Sequence, residues 1–356
     1  MYAICTHHIL VHGLKVFPFY NDNKGIFLQF LVCATLWGVN CFAMISGYAG
    51  VDSQFKYKRF IRLWGITLFY SVMITGLFAI FVPDAVTWKS LLYSCFPILT
   101  CQYWYVHSYA AMFAMIPLFN AALKQCGKRE LVLFLQIFFV LFCLISLIPG
   151  WIGRKVLFLN FGYSVFWLSY LYLLGGFWKI YGLHTLFESG FFEYIKIPLK
   201  LKNLFNSKKA QMFLFCIMVL TTLVANQIPE FISGYLQQKI VYRRLMGYTS
   251  PTILLCAIIV MHCFVGKKLS SISKYIAVLS PMAFSVYLIH DNNLTRIYFV
   301  NRILGKFLSD FGEWTQVPLV LLAALLIYAV CSVIDYGRIC SLRFIKNIIF
   351  KHSTSK

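Results

Sequence analysis

Six histidines lie in or at the edges of apolar stretches of this 356-residue chain: His7, His8, His12, His107, His262 and His290. An imidazole titrates near pH 6.5 or so and enters hydrocarbon neutral, so it can do general acid or base work where a fixed charge costs about 2.5–3.5 kcal/mol. Taken singly, each reads first as a hydrogen-bonded structural or interfacial histidine. A second group is basic. In KYKRFIRLW, Arg59 and Arg62 stand three apart on one helix face, where guanidinium forks can grip phosphate oxygens; interfacial anchoring is the plainer alternative. The aromatic cluster QYWYVHSY at 102–109 offers Trp104 or Tyr103 for stacking on a sugar ring, although an interfacial aromatic belt accounts for most of the 18% aromatic content. There is no phosphate-binding glycine loop, dinucleotide fingerprint, GxSxG elbow or HExxH helix. The 12 cysteines form no CxxC pair and lie mostly in apolar runs, so neither a metal site nor a disulfide framework is expected.

These groups need elements to hold them, and composition says in which solvent. Hydrophobic residues make up 60% of the chain and charged ones 12%, against roughly 25% charged in an ordinary soluble domain. A bilayer core about 30 Å thick is crossed by roughly 20 helical residues. Apolar runs between charge clusters predict spans near 1–12, 26–50, 64–82, 104–123, 131–149, 162–181, 211–227, 249–266, 277–294 and 316–336. The expected fold is therefore all-α: a polytopic integral membrane protein of about ten transmembrane helices in one bundle, with a membrane domain over 1–340 and a basic tail over 341–356.

The first run is too short to cross a bilayer. A start placed inside a longer first helix is favoured over a short re-entrant piece, which makes residues 1–12 the outer half of that helix. Gly47 with Gly50, and Gly175 with Gly176, are expected to let helices pack closely. The prolines, including Pro117 and Pro318, are expected at or near span ends.

The net charge of +21 does not point to nucleic acid, because the basic residues sit in the gaps between apolar runs rather than on one folded face. Most of the 32 fall in alternate gaps and in the C-terminal tail, and the positive-inside rule puts that set, with both termini, in the cytoplasm. The segment 182–210 reads equally as an amphipathic helix on the inner leaflet or as a solvated loop. In this topology His7, His8, His12, His107 and His290 gather at the outer membrane depth, a natural place for a base acting on an extracytoplasmic hydroxyl. No inverted repeat of the transporter kind is evident.

Five segments, in order along the chain from 5 to 290, together resemble the acyltransferase-3 family of membrane acyltransferases. CTHHILVHG is similar to the end of that family's first helix, where a histidine follows an arginine by eleven residues. FAMISGY, KRFIRLW, QYWYVHSYAAMFAMIPLF and SVYLIH resemble its F-x-x-x-SG-[YF], K-R-x-x-R, W-[YF]-x-x-x-Y…P and [GS]-x-YLIH segments. The family's first-helix arginine would fall about four residues before Met1.

The resemblance implies ten helices and an O-acetyltransferase-type enzyme of the bacterial inner membrane, with acetyl-CoA or another acyl-CoA as cosubstrate and no tightly bound cofactor. It implies His8 or His7 as the catalytic base and Lys58, Arg59 and Arg62 at the donor phosphates. Trp104, Tyr103, His107 and His290 would then line the acceptor side. The acceptor is expected to be a hydroxyl of a surface polysaccharide or glycolipid, with membrane lipids as the surroundings. The rival readings are a transporter or flippase of a lipid-linked oligosaccharide, and a polysaccharide polymerase.

Overall fold

In hydrocarbon every backbone polar group must be satisfied within the chain, and a helix does this segment by segment. The computed structural model describes residues 1–17, 24–148, 159–188, 207–236, 244–266 and 273–354, and every regular element among them is helical. Among the described residues six helices are long and apolar enough to cross a membrane: Ile26–Gly50, Tyr57–Phe81, Trp104–Gln125, Lys128–Leu147, Lys208–Ile228 and Glu313–Ile345. At the other four expected spans the helices are shorter. They are Tyr2–His8 with its continuation to Gly13, Val165–Tyr181, Pro251–Phe264 and Ile276–His290. A 14-residue helix rises only about 21 Å.

In chain order the helices are α1 (Tyr2–His8), α2 (Ile26–Cys33), α3 (Gly38–Gly50), α4 (Tyr57–Phe81), α5 (Trp88–Cys95), α6 (Trp104–Gln125) and α7 (Lys128–Phe139). They continue as α8 (Val165–Tyr181), α9 (Lys208–Leu236), α10 (Pro251–Phe264), α11 (Ser273–Leu279), α12 (Ala283–His290), α13 (Asn293–Thr295) and α14 (Glu313–Thr354). Helix α13 runs on as a π-helical stretch, Arg296–Gly305, and closes α-helically over Lys306–Ser309. The chain divides into two units: 1–15, 62–103 and 268–356 form one, and 16–61 with 104–267 the other.

In the first unit α1 and α12 pack on α14, and the Tyr2 hydroxyl donates to the Leu321 carbonyl at 3.0 Å. The π turn Ile9–Gly13 that follows α1 lies against the π stretch Arg296–Gly305, and two glycines set the approach. A Cβ at Gly305 would fall 2.4 Å from the Gly13 carbonyl oxygen. Helix α14 is 42 residues long and carries straight through the basic tail as far as Thr354.

In the second unit α3 and α8 are the closest pair. A Cβ at Gly47 would lie 1.9 Å from the Tyr172 carbonyl oxygen, and one at Gly175 would lie 2.0 Å from that of Met44. The expected close packing at these glycines is therefore present. Asn40, fully buried, ties three elements by donating to the Tyr248 carbonyl and accepting from Trp167 Nε1.

Three local features differ from the expectations. The run 26–50 is broken at 34–37, between α2 and α3; Thr35 lies in the break with its hydroxyl donating to the Leu31 and Val32 carbonyls. Helix α4 starts at Tyr57 rather than 64, because its first turns carry the basic residues that the apolar run excluded. Pro117 lies in the interior of α6, not near an end. The expected amphipathic segment falls largely on 189–206, outside the described residues.

Candidate active site

His8 ends α1, and the backbone beyond it takes the π form from Ile9 to Gly13, an uncommon geometry that concentrates at functional sites. His290 ends α12 and is 2% exposed. The two rings meet: His8 Nδ1 is 3.0 Å from His290 Nε2. His290 Nδ1 lies 2.6 Å from the Val286 carbonyl oxygen one turn back along its own helix.

This chain of contacts fixes the protons. A carbonyl oxygen only accepts, so His290 Nδ1 donates; in a neutral ring its Nε2 is then an acceptor. His8 must therefore donate from Nδ1, which leaves its lone pair on Nε2. The Val286 carbonyl thus selects, through one intervening imidazole, the nitrogen of His8 that can act as a base.

Asp291 follows His290 directly and is 5% exposed. Its Oδ1 lies 3.4 Å from His8 Nδ1 and 3.5 Å from an Arg296 guanidinium nitrogen. A carboxylate there favours any positive charge that develops on His8, as in other histidine bases backed by an acid. His12 completes the cluster, with its ring centroid 5.2 Å from that of His8. His8, His12 and Asp291 each offer one ligand atom, all within 4.8 Å of one another, so among the described residues these three could hold a metal ion.

Tyr103 shapes the corner behind the pair. It is 1% exposed, its hydroxyl donates to the Leu288 carbonyl at 3.0 Å and accepts from Asn292 Nδ2 at 2.8 Å. Asn292 Oδ1 in turn accepts from the Leu294 amide at 3.0 Å, capping the next helix. His290 and Asp291 are thereby held on a turn pinned at both sides.

Of the residues expected from the sequence, His8, His290 and Tyr103 come together in the first unit. His7 precedes His8 with ring centroids 6.1 Å apart, and the contact with His290 belongs to His8. Arg62, on α4, lines a groove of the same unit with Arg338 and Arg343. In the second unit, Lys58 and Arg59 are exposed at the start of α4, with an Arg59 guanidinium nitrogen donating to Ser53 Oγ at 3.1 Å. Trp104 there packs with Tyr163 and Tyr248, centroids 4.4 and 5.7 Å away, and His107 is half-buried on α6. His262 bonds Gln211 and stacks on Trp178, a structural role.

Sequence reasoning passed over Asp291 and Asp335. Each was marked by a signal it could have used: only 11 acidic residues occur in the chain, and these two lie in apolar surroundings where an acid is costly. Asp335 Oδ1 accepts from the Tyr70 hydroxyl at 2.6 Å and from Arg338 Nε at 2.7 Å.

A family model described as an acyltransferase domain matches residues 3–336. No curated protein and no solved structure matches the chain.

Proposed function

The chain belongs to the acyltransferase-3 family and is a membrane acyltransferase, and from that premise we propose that it moves an acyl group, acetyl by default, from acyl-CoA to a hydroxyl of a surface polysaccharide or glycolipid. The observation that carries this reading is the ordered pair His8 and His290, with the base nitrogen of His8 defined by the Val286 carbonyl.

The chemistry balances on one residue. His8 Nε2 takes the proton of the acceptor hydroxyl as the oxygen attacks the thioester carbonyl. The tetrahedral intermediate collapses with cleavage of the C–S bond, and the CoA thiolate leaves and recovers the proton from the imidazolium. Asp291 and His290 steady that imidazolium while it exists. The donor phosphates meet the basic start of α4, where Lys58, Arg59 and Arg62 cluster. Trp104 and His107 are assigned to acceptor binding on the resemblance alone. On this reading ten helices cross the inner membrane and both termini are cytoplasmic.

The test is a gene deletion followed by mass spectrometry of the surface glycan, with complementation by wild type and by His8→Ala. Loss of an acyl mass increment that only the wild type restores is the expected result. An unchanged glycan with an accumulated lipid-linked precursor would instead indicate a flippase.

A further inference from the structure

A groove of about 1290 Å³ runs between α4, α11 and α14 within the first unit. That exceeds a typical small-molecule pocket and suits a ligand the size of a nucleotide with an attached arm. Its wall is mostly apolar, with Phe69, Met282 and Leu342 among its side chains; Tyr336 and Ser341 are the uncharged polar residues among those described, and three guanidinium groups stand in it: Arg62 from α4 and Arg338 and Arg343 from α14. No acidic side chain is among the described residues that line it. Arg338 is seated, because its Nε bonds the buried Asp335 and its guanidinium lies over the Tyr70 ring, centroid 5.9 Å away. Arg62 and Arg343 are exposed.

Three cations around an apolar trough, with no anion to neutralise the two exposed ones there, match a ligand that is polyanionic at one end and uncharged along the rest. The trough also points somewhere. Met282 lines it, and α12 starts at the next residue and ends at His290, so the trough and the histidine pair are separated by about 12 Å of helix. An extended pantetheine arm, with its two amide units, spans roughly 15 Å.

We propose that this groove is the donor site, in which Arg62, Arg338 and Arg343 together hold the phosphates of the acyl-CoA while its arm follows α12 to the His8–His290 pair. The proposal rests on the reading that the donor is an acyl-CoA. It adds two residues of the last helix, Arg338 and Arg343, to the phosphate anchor.

Full-length protein in nanodiscs of zwitterionic phosphatidylcholine, titrated calorimetrically with CoA, tests it. Wild type should bind CoA, and Arg343→Gln and Arg62→Gln should each bind about tenfold more weakly, the effect of losing a charge-assisted phosphate contact. Arg338→Lys keeps the charge beside Asp335, so the fold is preserved, and should still weaken binding because the fork is lost. Lys89→Gln, a charge change elsewhere in the unit, should bind as wild type. Absence of CoA binding by wild type, or equal binding by all the arginine variants, overturns the proposal. So does a result in which the arginine variants lose retained phosphatidylglycerol but not CoA, which would make the groove a lipid site. CoA binding that depends on Arg343 in a protein that leaves the surface glycan unacylated upholds the groove and sinks the acyl-transfer reading. Acyl transfer indifferent to Arg343→Gln and Arg62→Gln does the reverse.

Discussion

His8 Nδ1 and His290 Nε2, 282 residues apart in the chain, lie 3.0 Å apart; with His290 neutral and its Nδ1 donating to the Val286 carbonyl, His8 Nδ1 donates and His290 Nε2 accepts. The direction of that bond is what makes His8 Nε2 a base.

His8→Ala should lower acyl transfer by at least about 100-fold, the scale of a lost general base, while His7→Ala stays within a few-fold of wild type. Transfer of labelled acyl groups to membrane glycan measures both. Comparable losses at the two positions would remove the special standing of the His8 contact.

Replacing His290 separates orientation from bulk. Gln offers a carbonyl oxygen that can still accept from His8 Nδ1, whereas Leu fills the space with nothing to accept. His290→Leu should lower kcat about 10- to 100-fold with the donor KM unchanged, and His290→Gln should recover part of that loss. Equal kcat values for the two variants would mean that the bond does not orient His8.

Tyr103→Phe keeps the ring and removes the hydroxyl that serves Leu288 and Asn292. The buried partners left unpaired should cost about 1–3 kcal/mol of stability, read as a lower Tm in detergent, with the acceptor KM unchanged. A sugar-stacking Tyr103 would give little change in Tm on substitution by Phe and a raised acceptor KM on substitution by Ala.

Zinc should inhibit. His8, His12 and Asp291 offer ligand atoms within 4.8 Å of one another, and a bound cation there competes with proton transfer at His8. Activity should survive a chelator, fall on addition of Zn²⁺, and return with the chelator. His12→Ala should keep most of the activity and raise the inhibitory zinc concentration about tenfold. Loss of activity on chelation alone would reverse this picture.

Gly305→Ala should destabilise the protein by about 1–3 kcal/mol, because its new Cβ would meet the Gly13 carbonyl oxygen and the π turn beyond His8 would have to move. Thermal unfolding reports the stability. A parallel fall in kcat would show that the turn also sets the position of His8.

Much of this was legible in the sequence because it depends on local pattern. Apolar runs announce helices, Gly47 and Gly175 announced a close approach, and a histidine in an apolar run announces itself by type. The pairing of His8 with His290 was legible only as shared depth, since no local pattern encodes a contact between residue 8 and residue 290. The roles of Tyr103 and Asp291 depend on hydrogen-bond direction and on a turn geometry set by Asn292, and neither has a periodic signature. Arg338 carries no motif of its own; its seat on Asp335 and Tyr70 needs α4 and α14 side by side. The break at 34–37 lies inside a continuous apolar run, and hydropathy does not register it.

Helix α14 bears on both halves of the first unit's chemistry. Its Leu321 carbonyl holds Tyr2 at the start of the helix that carries His8, and roughly 26 Å further along the same axis it presents Arg338 to the groove. One rod therefore carries two loads. The helix that carries the base and the arginines of the groove thus share one support.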